Sequence, residues 1–280
     1  MTCAGPSGGW AAGPLGTAPE VAEPDRAVRR QVAAALTLVA LLTGCGGGGP
    51  TPTTTQGSVL VGGRQRTFTV LAPAHPDGST VLALHGFNES VAALRQTSDL
   101  DRLAREGVTV VYVDGYQASW DAGTCCGSAV VQRVDDLAAL RAVARRVVHD
   151  HGLDPRRVVL AGHSNGAFLA YRAACEDGAT WAAYVVVSGS RVVADCSPHA
   201  PETLVVWQGL RDTIVPVAGR QLDAVHRLPG LAESTRPFAG VAGIALTVVR
   251  DPQGTHDWPG GAFTDRAWSL VRGARAAAGV

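Results

Sequence analysis

The segment Val158–Phe168 constrains the possible folds of this chain more than any other stretch. It begins with a run of branched aliphatic residues, passes through Gly-His-Ser-Asn-Gly at positions 162–166, and continues at once into a helical pattern. A strand that turns sharply into a helix at Gly-x-Ser-x-Gly is a nucleophile elbow. Its glycines let strand and helix pass close to a serine held in a strained backbone conformation. The pattern therefore predicts a nucleophilic Ser164, the alternative being a loop without chemical function.

The rest of the chain alternates between apolar runs typical of buried strands and helical patterns. Nearly uninterrupted apolar strands separated by helices predict a mostly parallel sheet with helices on both faces. A Gly-Gly turn between two alternating segments predicts an antiparallel hairpin ahead of that sheet. The hairpin is Ser58–Gly62 with Arg66–Ala72, and the later strands are Thr80–Leu84, Val108–Val113, Val158–Ala161, Ala183–Val187, Leu204–Trp207 and Ala245–Val249. The helices are one capped by Ser98 and ended by Gly107, then Asp135–His149, the elbow helix, Val217–Leu228 and Phe263–Ala277.

The charge balance restricts the class of partner. The chain has 280 residues, with 24 Lys and Arg against 24 Asp and Glu, so its formal net charge is zero. A chain of this length can bury one sizeable core. A neutral balance argues against nucleic acid or an anionic membrane surface as the main partner, and no protein partner is predicted.

The N-terminal region has the pattern of an export signal. Arg29 and Arg30 precede the apolar stretch 31–42, which is too short to span a bilayer comfortably. Leu-Thr-Gly-Cys at positions 42–45 resembles the bacterial lipobox, in which the cysteine is lipidated; a plain signal peptide with an incidental Cys45 is the alternative. We therefore expect an extension and signal peptide over residues 1–44, a flexible tether over 45–56 and a catalytic domain over 57–280. The protein would be exported and held at the membrane by a lipid on Cys45.

Four cysteines remain in the predicted exported domain: Cys125, Cys126, Cys175 and Cys196. An even number in an oxidising compartment predicts disulfides, and four cysteines allow three pairings. Cys175 closes the predicted elbow helix and Cys196 lies after the next strand, which favours that pair. Zinc-type spacing of cysteine and histidine is missing from the sequence, so neither a metal nor a cofactor is expected.

A serine nucleophile needs a histidine base and an acid that orients the histidine. After an elbow of this kind the acid and then the base follow in loops at the carboxyl ends of later strands. Asp212 follows the strand Leu204–Trp207, and His256 follows Ala245–Val249. Asp212 could instead cap a turn or helix, and Asp251 and Asp257 are rival acids that lie beside His256 in sequence.

Two backbone N–H groups must stabilise the oxyanion of the tetrahedral intermediate. The residue after the nucleophile supplies one of them, which is the N–H of Asn165 at the start of the elbow helix. The turn after the early strand supplies the other, for which the N–H of Phe87 in His85-Gly86-Phe87 is the candidate.

Several segments together resemble the exported poly(3-hydroxybutyrate) depolymerase and feruloyl esterase family of α/β-hydrolases, which includes lipoproteins. The resemblance covers residues 57–278 and rests on Leu84–Phe87, Tyr112–Gly115, Trp120–Cys126, positions 162–166, Gly209–Pro216 and His256–Gly260. It implies the α/β-hydrolase fold, a triad of Ser164, Asp212 and His256, and an oxyanion hole of Phe87 and Asn165. The chain departs from the family after the His-Gly turn, where many members carry a cysteine followed by a glutamine and this chain has Phe87, Asn88 and Glu89.

The substrate side of the site is predicted from aromatic residues near the motifs. Trp258, Trp120 and Tyr116 could line a cleft for an aromatic acyl group or a hydroxyalkanoate chain, or could be ordinary core residues. The expected function is an exported serine carboxylesterase acting on small or polymeric esters of hydroxyalkanoates or hydroxycinnamic acids. The alternatives are a serine peptidase of the same fold and a non-catalytic, ligand-binding lipoprotein.

Overall fold

An eight-stranded sheet forms the centre of the computed structural model, which describes residues 51–199 and 202–278. Its strands lie in the order β1-β2-β4-β3-β5-β6-β7-β10; the first three are joined by antiparallel pairings and the others by parallel ones. A separate ladder joins β8 and β9. The strands are β1 (Thr53–Val61), β2 (Arg64–Ala72), β3 (Thr80–Leu84), β4 (Thr109–Val113), β5 (Val158–His163), β6 (Ala183–Val187), β7 (Glu202–Gly209), β8 (Arg220–Gln221), β9 (Arg227–Leu228) and β10 (Ile244–Asp251). The predicted parallel sheet with an N-terminal antiparallel hairpin is confirmed.

Helices cover both faces of the sheet, as the apolar strands require. They are α1 (Val91–Ser98), α2 (Asp101–Arg105), α3 (Ser128–Val131), α4 (Asp136–His151), α5 (Asn165–Glu176), α6 (Leu231–Thr235) and α7 (Gly261–Ala278), with 3-10 turns at Pro155–Arg157, Gly178–Thr180 and Arg236–Phe238. Buried side chains of α4 and α5 form one core with the sheet, and those of α2 and α7 form a second. Burial on both sides explains why β3, β4 and β6 are apolar at nearly every position.

The predicted helix over Asp135–His149 forms with its expected ends. The Asp135 carboxylate accepts a hydrogen bond from the Ala138 N–H at 2.9 Å, which satisfies one of the free donors of the first turn. Gly152 ends the helix in the left-handed region, at φ 62°, where a side chain would be strained.

Two helix predictions are wrong in their details. Ser98 does not begin a helix; it is the last residue of α1. Helix α1 was not predicted from the sequence, and its N-cap is Ser90. Asp99 adopts φ 53° and separates α1 from α2, so the chain forms two short helices where one was expected.

The helix expected over Val217–Leu228 is instead the hairpin of β8 and β9. Asp223 turns the chain there, because its carboxylate accepts the N–H groups of Val225 and His226, both at 2.8 Å. Gly219 has φ 82°, which a helix cannot accommodate. Helical structure resumes only at Leu231.

The cysteine pairing favoured by the sequence is confirmed. Cys175, in the last turn of α5, is bonded to Cys196 in the loop after β6, with Cα atoms 4.5 Å apart. Cys125 and Cys126 are bonded to each other.

Strand β1 begins at Thr53, inside the stretch 45–56 predicted to be a flexible tether, because Thr53 to Gln56 pair with β2. The predicted signal peptide, the Cys45 predicted to be lipidated and the first part of the tether lie outside the described residues. Within the part of the chain that the structure describes, no helix combines the length and apolar character needed to cross a bilayer.

Candidate active site

Ser164 lies on the turn between β5 and α5 with φ 51° and ψ −117°, a conformation that costs free energy for any residue with a side chain. Close packing holds it there. A Cβ on Gly162 would meet the backbone of Gly166, and a Cβ on Gly166 would meet the carbonyl of Leu84 on β3. The steric role predicted for both glycines is confirmed.

The structure brings three predicted side chains into one chain of contacts. His256 Nε2 lies 2.8 Å from Ser164 Oγ, and His256 Nδ1 lies 2.8 Å from Asp212 Oδ2. The Asp212 side chain is buried, while one fifth of the His256 side chain is exposed. The partly exposed imidazole of His256 therefore lies between the Ser164 hydroxyl and the buried Asp212 carboxylate and contacts both.

Asp212 is held as an ionised acceptor. Burial raises the pKa of its carboxyl, but hydrogen bonds from His256 and from the N–H groups of Val215 and Ile214 outweigh burial and hold the pKa below its ordinary value. An ionised Asp212 accepts the Nδ1–H of His256, which leaves Nε2 as the nitrogen that can take a proton from Ser164.

Backbone hydrogen bonds tie the loop that carries Asp212 to the loop that carries His256. The Leu210 N–H donates to the Asp251 carbonyl at 2.8 Å, and the Arg211 N–H donates to the Gly254 carbonyl at 2.9 Å. The end of β7 and the loop after β10 are therefore joined by direct hydrogen bonds beside the Asp212–His256 contact.

The rival carboxylates make other contacts. Asp251 accepts from the Gln253 N–H at 2.9 Å, and Asp257 accepts from the Thr255 hydroxyl at 2.8 Å. Both contacts are local turns of the chain, whereas Asp212 reaches His256 across 44 residues.

The two N–H groups proposed for the oxyanion lie in the right segments. The N–H groups in the first turn of α5, Asn165 among them, have no acceptor within the helix. Phe87 lies in the turn after β3, and a Cβ on its neighbour Gly86 would be 3.3 Å from the Ser164 Cβ, so that turn borders Ser164. Donation by Phe87 and Asn165 to an oxyanion stays a prediction.

The Asn165 side chain has a function that sequence reasoning missed. Its Oδ1 accepts from the Trp120 N–H at 2.8 Å, and its Nδ2 donates to the carbonyls of Trp120 and Cys125 at 3.2 and 3.4 Å. A buried asparagine directly after Ser164 thus connects the Trp120–Cys126 loop to the turn between β5 and α5. An amide at this position was the only sequence signal for that contact.

The aromatic residues predicted to contact substrate are placed differently. Trp120 is fully buried and donates its indole N–H to the His85 carbonyl at 2.8 Å. Trp258 is buried against Phe263 and donates to Thr264 at 3.0 Å. The cleft-lining prediction is wrong for both tryptophans, because each packs in the core with its polar group satisfied.

Tyr116 is only partly buried. Its hydroxyl donates to Gln132 at 2.9 Å, and the Arg64 guanidinium lies 5.3 Å from the centre of its ring. Contact of Tyr116 with substrate stays a prediction.

His85, which the sequence assigned a structural role, has that role. It is buried, its Nε2 accepts from the Gly115 N–H at 2.9 Å, and burial lowers the pKa of its ring. His163 was also assigned a structural role, and its contacts are more specific: Nδ1 lies 3.0 Å from Glu89 Oε2 and Nε2 lies 2.8 Å from the backbone carbonyl of His256. From the sequence, Glu89 was named only as part of a departure from the family pattern and was given no role.

Among residues 51–199 and 202–278, no three or more histidine, cysteine, aspartate or glutamate side chains are grouped so that they could hold a metal ion.

Comparison with known proteins gives a consistent result. The profile of the family described as serine aminopeptidase, S33, matches residues 75–229. NocK of Nocardia uniformis subsp. tsuyamanensis, whose name places it among the esterases, is 26% identical over 266 residues, covering 76% of this chain and 76% of NocK. Feruloyl esterase B of Piromyces equi is 26% identical over 133 residues, which are 44% of this chain and 24% of that protein. A carboxylesterase of Bacillus cereus shares the fold with a TM-score of 0.55 at 13% identity, over 74% of this chain and 93% of that one.

Proposed function

Because the chain belongs to the serine aminopeptidase S33 family and is therefore a hydrolase, of the α/β-hydrolase fold, we propose that it hydrolyses carboxylic esters with Ser164 as nucleophile, His256 as base and Asp212 as the orienting acid. The observation that carries the proposal is the pair of 2.8 Å contacts from Ser164 to His256 and from His256 to Asp212. Relatives named as esterases support the ester bond as the target.

In the first half of the reaction, Ser164 Oγ attacks the ester carbonyl carbon while His256 Nε2 takes the hydroxyl proton. The carbonyl electron pair moves to oxygen, where the N–H groups of Phe87 and Asn165 donate hydrogen bonds. The intermediate collapses, the C–O bond to the alcohol breaks, and His256 gives its proton to the leaving oxygen.

In the second half, water attacks the acyl group on Ser164. His256 takes the proton of water and then returns it to Ser164 Oγ as the acid leaves, so the enzyme is restored with one water consumed. Ionised Asp212 stabilises the imidazolium that forms in both halves without itself accepting the proton.

The acyl group proposed is a hydroxyalkanoate or a hydroxycinnamate. Support comes from the sequence resemblance over residues 57–278 and from the match to a feruloyl esterase. A panel of p-nitrophenyl acetate, p-nitrophenyl butyrate, methyl acetate, methyl ferulate and hydroxybutyrate oligomers tests this. Higher kcat/KM is expected for methyl ferulate or for the oligomers than for methyl acetate, which has the same kind of unactivated alcohol as leaving group, and a preference for methyl acetate would contradict the assignment.

Peptide hydrolysis is the second candidate, since the family description names an aminopeptidase. Aminoacyl p-nitroanilides belong in the same panel. Release of p-nitroaniline at a kcat/KM above that of every ester would favour the peptidase.

Export and anchoring through a lipid on Cys45 complete the proposal. The lipobox-like pattern at positions 42–45 supports them, as do two disulfides, which persist in oxidising compartments. If Cys45→Ala partitions with membranes as fully as the wild-type protein does, the anchor is wrong.

The deciding experiment compares the wild-type protein with Ser164→Ala. Ester turnover should be lost in that variant and kept in the control Ser58→Ala, a serine of β1 whose side chain contacts Gln65. Equal turnover by Ser164→Ala and wild type would refute the proposal.

A further inference from the structure

Glu89 follows the proposed oxyanion turn and binds it directly. Its Oε2 accepts the backbone N–H of Gly86 at 2.6 Å, and the same oxygen lies 3.0 Å from His163 Nδ1. The side chains of Glu89 and His163 are 16% and 12% exposed, so water competes little for these contacts. One carboxylate oxygen therefore joins the turn after β3 to the end of β5.

His163 is the residue before Ser164, and it continues the connection. Its Nε2 lies 2.8 Å from the carbonyl oxygen of His256, and the two imidazole rings have centroids 5.2 Å apart. A carbonyl oxygen only accepts, so Nε2 must carry a hydrogen. An ionised Glu89 also only accepts, so beside it Nδ1 must carry a hydrogen too, and these contacts therefore fit the imidazolium form of His163.

The charge states follow from the surroundings. Burial lowers the pKa of His163, but the Glu89 carboxylate and the His256 carbonyl outweigh burial, so the pKa lies above its ordinary value, with Asp257 adding to the effect. Burial raises the pKa of Glu89, but His163 and the Gly86 N–H outweigh burial, so that pKa lies below its ordinary value, with a small further lowering from His85.

We propose that Glu89 and His163 are a positioning ion pair that holds the oxyanion turn and the His256 loop in register with Ser164. The pair joins three segments that are distant in sequence, at Gly86, His163 and His256. Neither side chain touches Ser164 Oγ or the imidazole nitrogens of His256, so neither is a catalytic residue. This inference rests on the proposed function, because it concerns the geometry of that same reaction.

Such a pair should affect turnover more than substrate binding. It fixes the backbone that carries the base and the backbone next to the Phe87 N–H, both of which act mainly in the transition state. Misplacement of catalytic groups by about 1 Å can cost about a hundredfold in rate. Loss of the pair should therefore lower kcat and leave KM nearly unchanged.

The test uses the full-length protein with Glu89→Gln, His163→Gln and the double variant. Glu89→Gln keeps the shape and an acceptor for the Gly86 N–H but removes the charge. Asp223→Asn is the matched control, since Asp223 forms an exposed carboxylate–histidine pair with His226 at 2.8 Å. Three quantities are measured: kcat and KM for p-nitrophenyl butyrate, the rate of Ser164 labelling by a fluorophosphonate, and the melting temperature.

Each single variant should lose about tenfold or more in kcat with KM within about threefold, and labelling should slow in parallel. Because the two residues act as one unit, the double variant should lose no more than the worse single variant. Asp223→Asn should behave as wild type.

The proposal is overturned if Glu89→Gln keeps kcat and the labelling rate within about twofold of wild type, or if the two single losses multiply in the double variant. It is also overturned if activity falls only in proportion to the fraction of unfolded protein, since that would make the pair purely structural. A wild-type protein that neither turns over ester nor labels at Ser164 would instead refute the proposed function, and the inference with it.

Discussion

Two carboxylate–histidine pairs lie beside Ser164. In each pair the carboxylate binds Nδ1 of the histidine, and the pairs differ in the group that lies against Nε2. In one, Asp212 binds His256 Nδ1 and His256 Nε2 faces the Ser164 hydroxyl, which can give up a proton. In the other, Glu89 binds His163 Nδ1 and His163 Nε2 faces a backbone carbonyl, which has no proton to give. In the proposed roles, the same two residue types thus make a proton acceptor of His256 and a hydrogen-bond donor of His163, and the group facing Nε2 decides which.

Removal of the base should have the largest effect. His256→Ala leaves nothing to take the Ser164 proton, so kcat/KM should fall by about 10⁴-fold or more. His226→Ala, which alters an exposed histidine, is the control. Ester turnover by His256→Ala within about tenfold of wild type would mean that the first pair is not the catalytic one.

Neutralising Asp212 should have the second largest effect on turnover. Asp212→Asn keeps the shape of the side chain but favours the wrong tautomer of His256, so kcat should fall by about 10³- to 10⁴-fold. The steady-state rates of Asp251→Asn and Asp257→Asn should stay close to wild type, because neither contacts His256 by its side chain. A larger loss of kcat in Asp251→Asn or Asp257→Asn than in Asp212→Asn would show that one of those two aspartates, and not Asp212, is the acid that orients His256.

A second buried ion pair, which has no hydrogen bond to Ser164, Asp212 or His256, provides a structural comparison. Arg66 Nη1 lies 2.5 Å from Asp136 Oδ1, and both side chains are almost fully buried. Asp136→Asn would leave Arg66 buried without its counter-charge, so the free energy of unfolding should fall by about 3–5 kcal/mol. Urea denaturation measures this, and the folded variant should keep its kcat. If Asp136→Asn lost kcat but not stability, the Arg66–Asp136 pair would affect turnover as the Glu89–His163 pair is proposed to do, and the two pairs would not differ in function.

The pH dependence sharpens the difference between the two pairs. The pKa of Glu89 lies below its ordinary value of 4.5. The charge of Glu89 therefore stabilises the ion pair fully above pH 4.5, and this stabilisation is lost as the pH falls through the lowered pKa. The pKa of His163 lies above its ordinary value of 6.5. The charge of His163 therefore stabilises the ion pair fully below pH 6.5, and this stabilisation is lost as the pH rises through the raised pKa.

The ratio of wild-type kcat to that of Glu89→Gln should therefore be largest between about pH 4.5 and 6.5 and decline on either side. Steady-state rates measured from well below pH 4.5 to well above pH 6.5 give the ratio on the plateau and on both declining sides. A ratio that stays constant with pH would show that the charges of the pair do not matter.

The sequence predicted the sheet well because its central strands are buried on both faces and so have a continuous apolar pattern. It failed at Val217–Leu228, where the turn of Asp223 and the backbone of Gly219 outweigh a helical pattern. It predicted the Ser164, Asp212 and His256 positions because strand ends fix them. It could not predict that Trp120 and Trp258 are buried, since their surroundings form only in the folded chain.

The Glu89–His163 contact was hidden for a similar reason. The two residues are 74 positions apart, and neither belongs to a motif with a set partner at that distance. Only the parallel pairing of β3 with β5 brings the ends of the two segments together.

Peptide mapping after fluorophosphonate treatment tests the central claim most directly, because it needs no natural substrate. A single adduct on Ser164 is expected in the wild-type protein, with none in Ser164→Ala and very slow labelling in His256→Ala. An adduct on another serine, or equal labelling of wild type and His256→Ala, would contradict the assignment of Ser164, His256 and Asp212 as a catalytic triad.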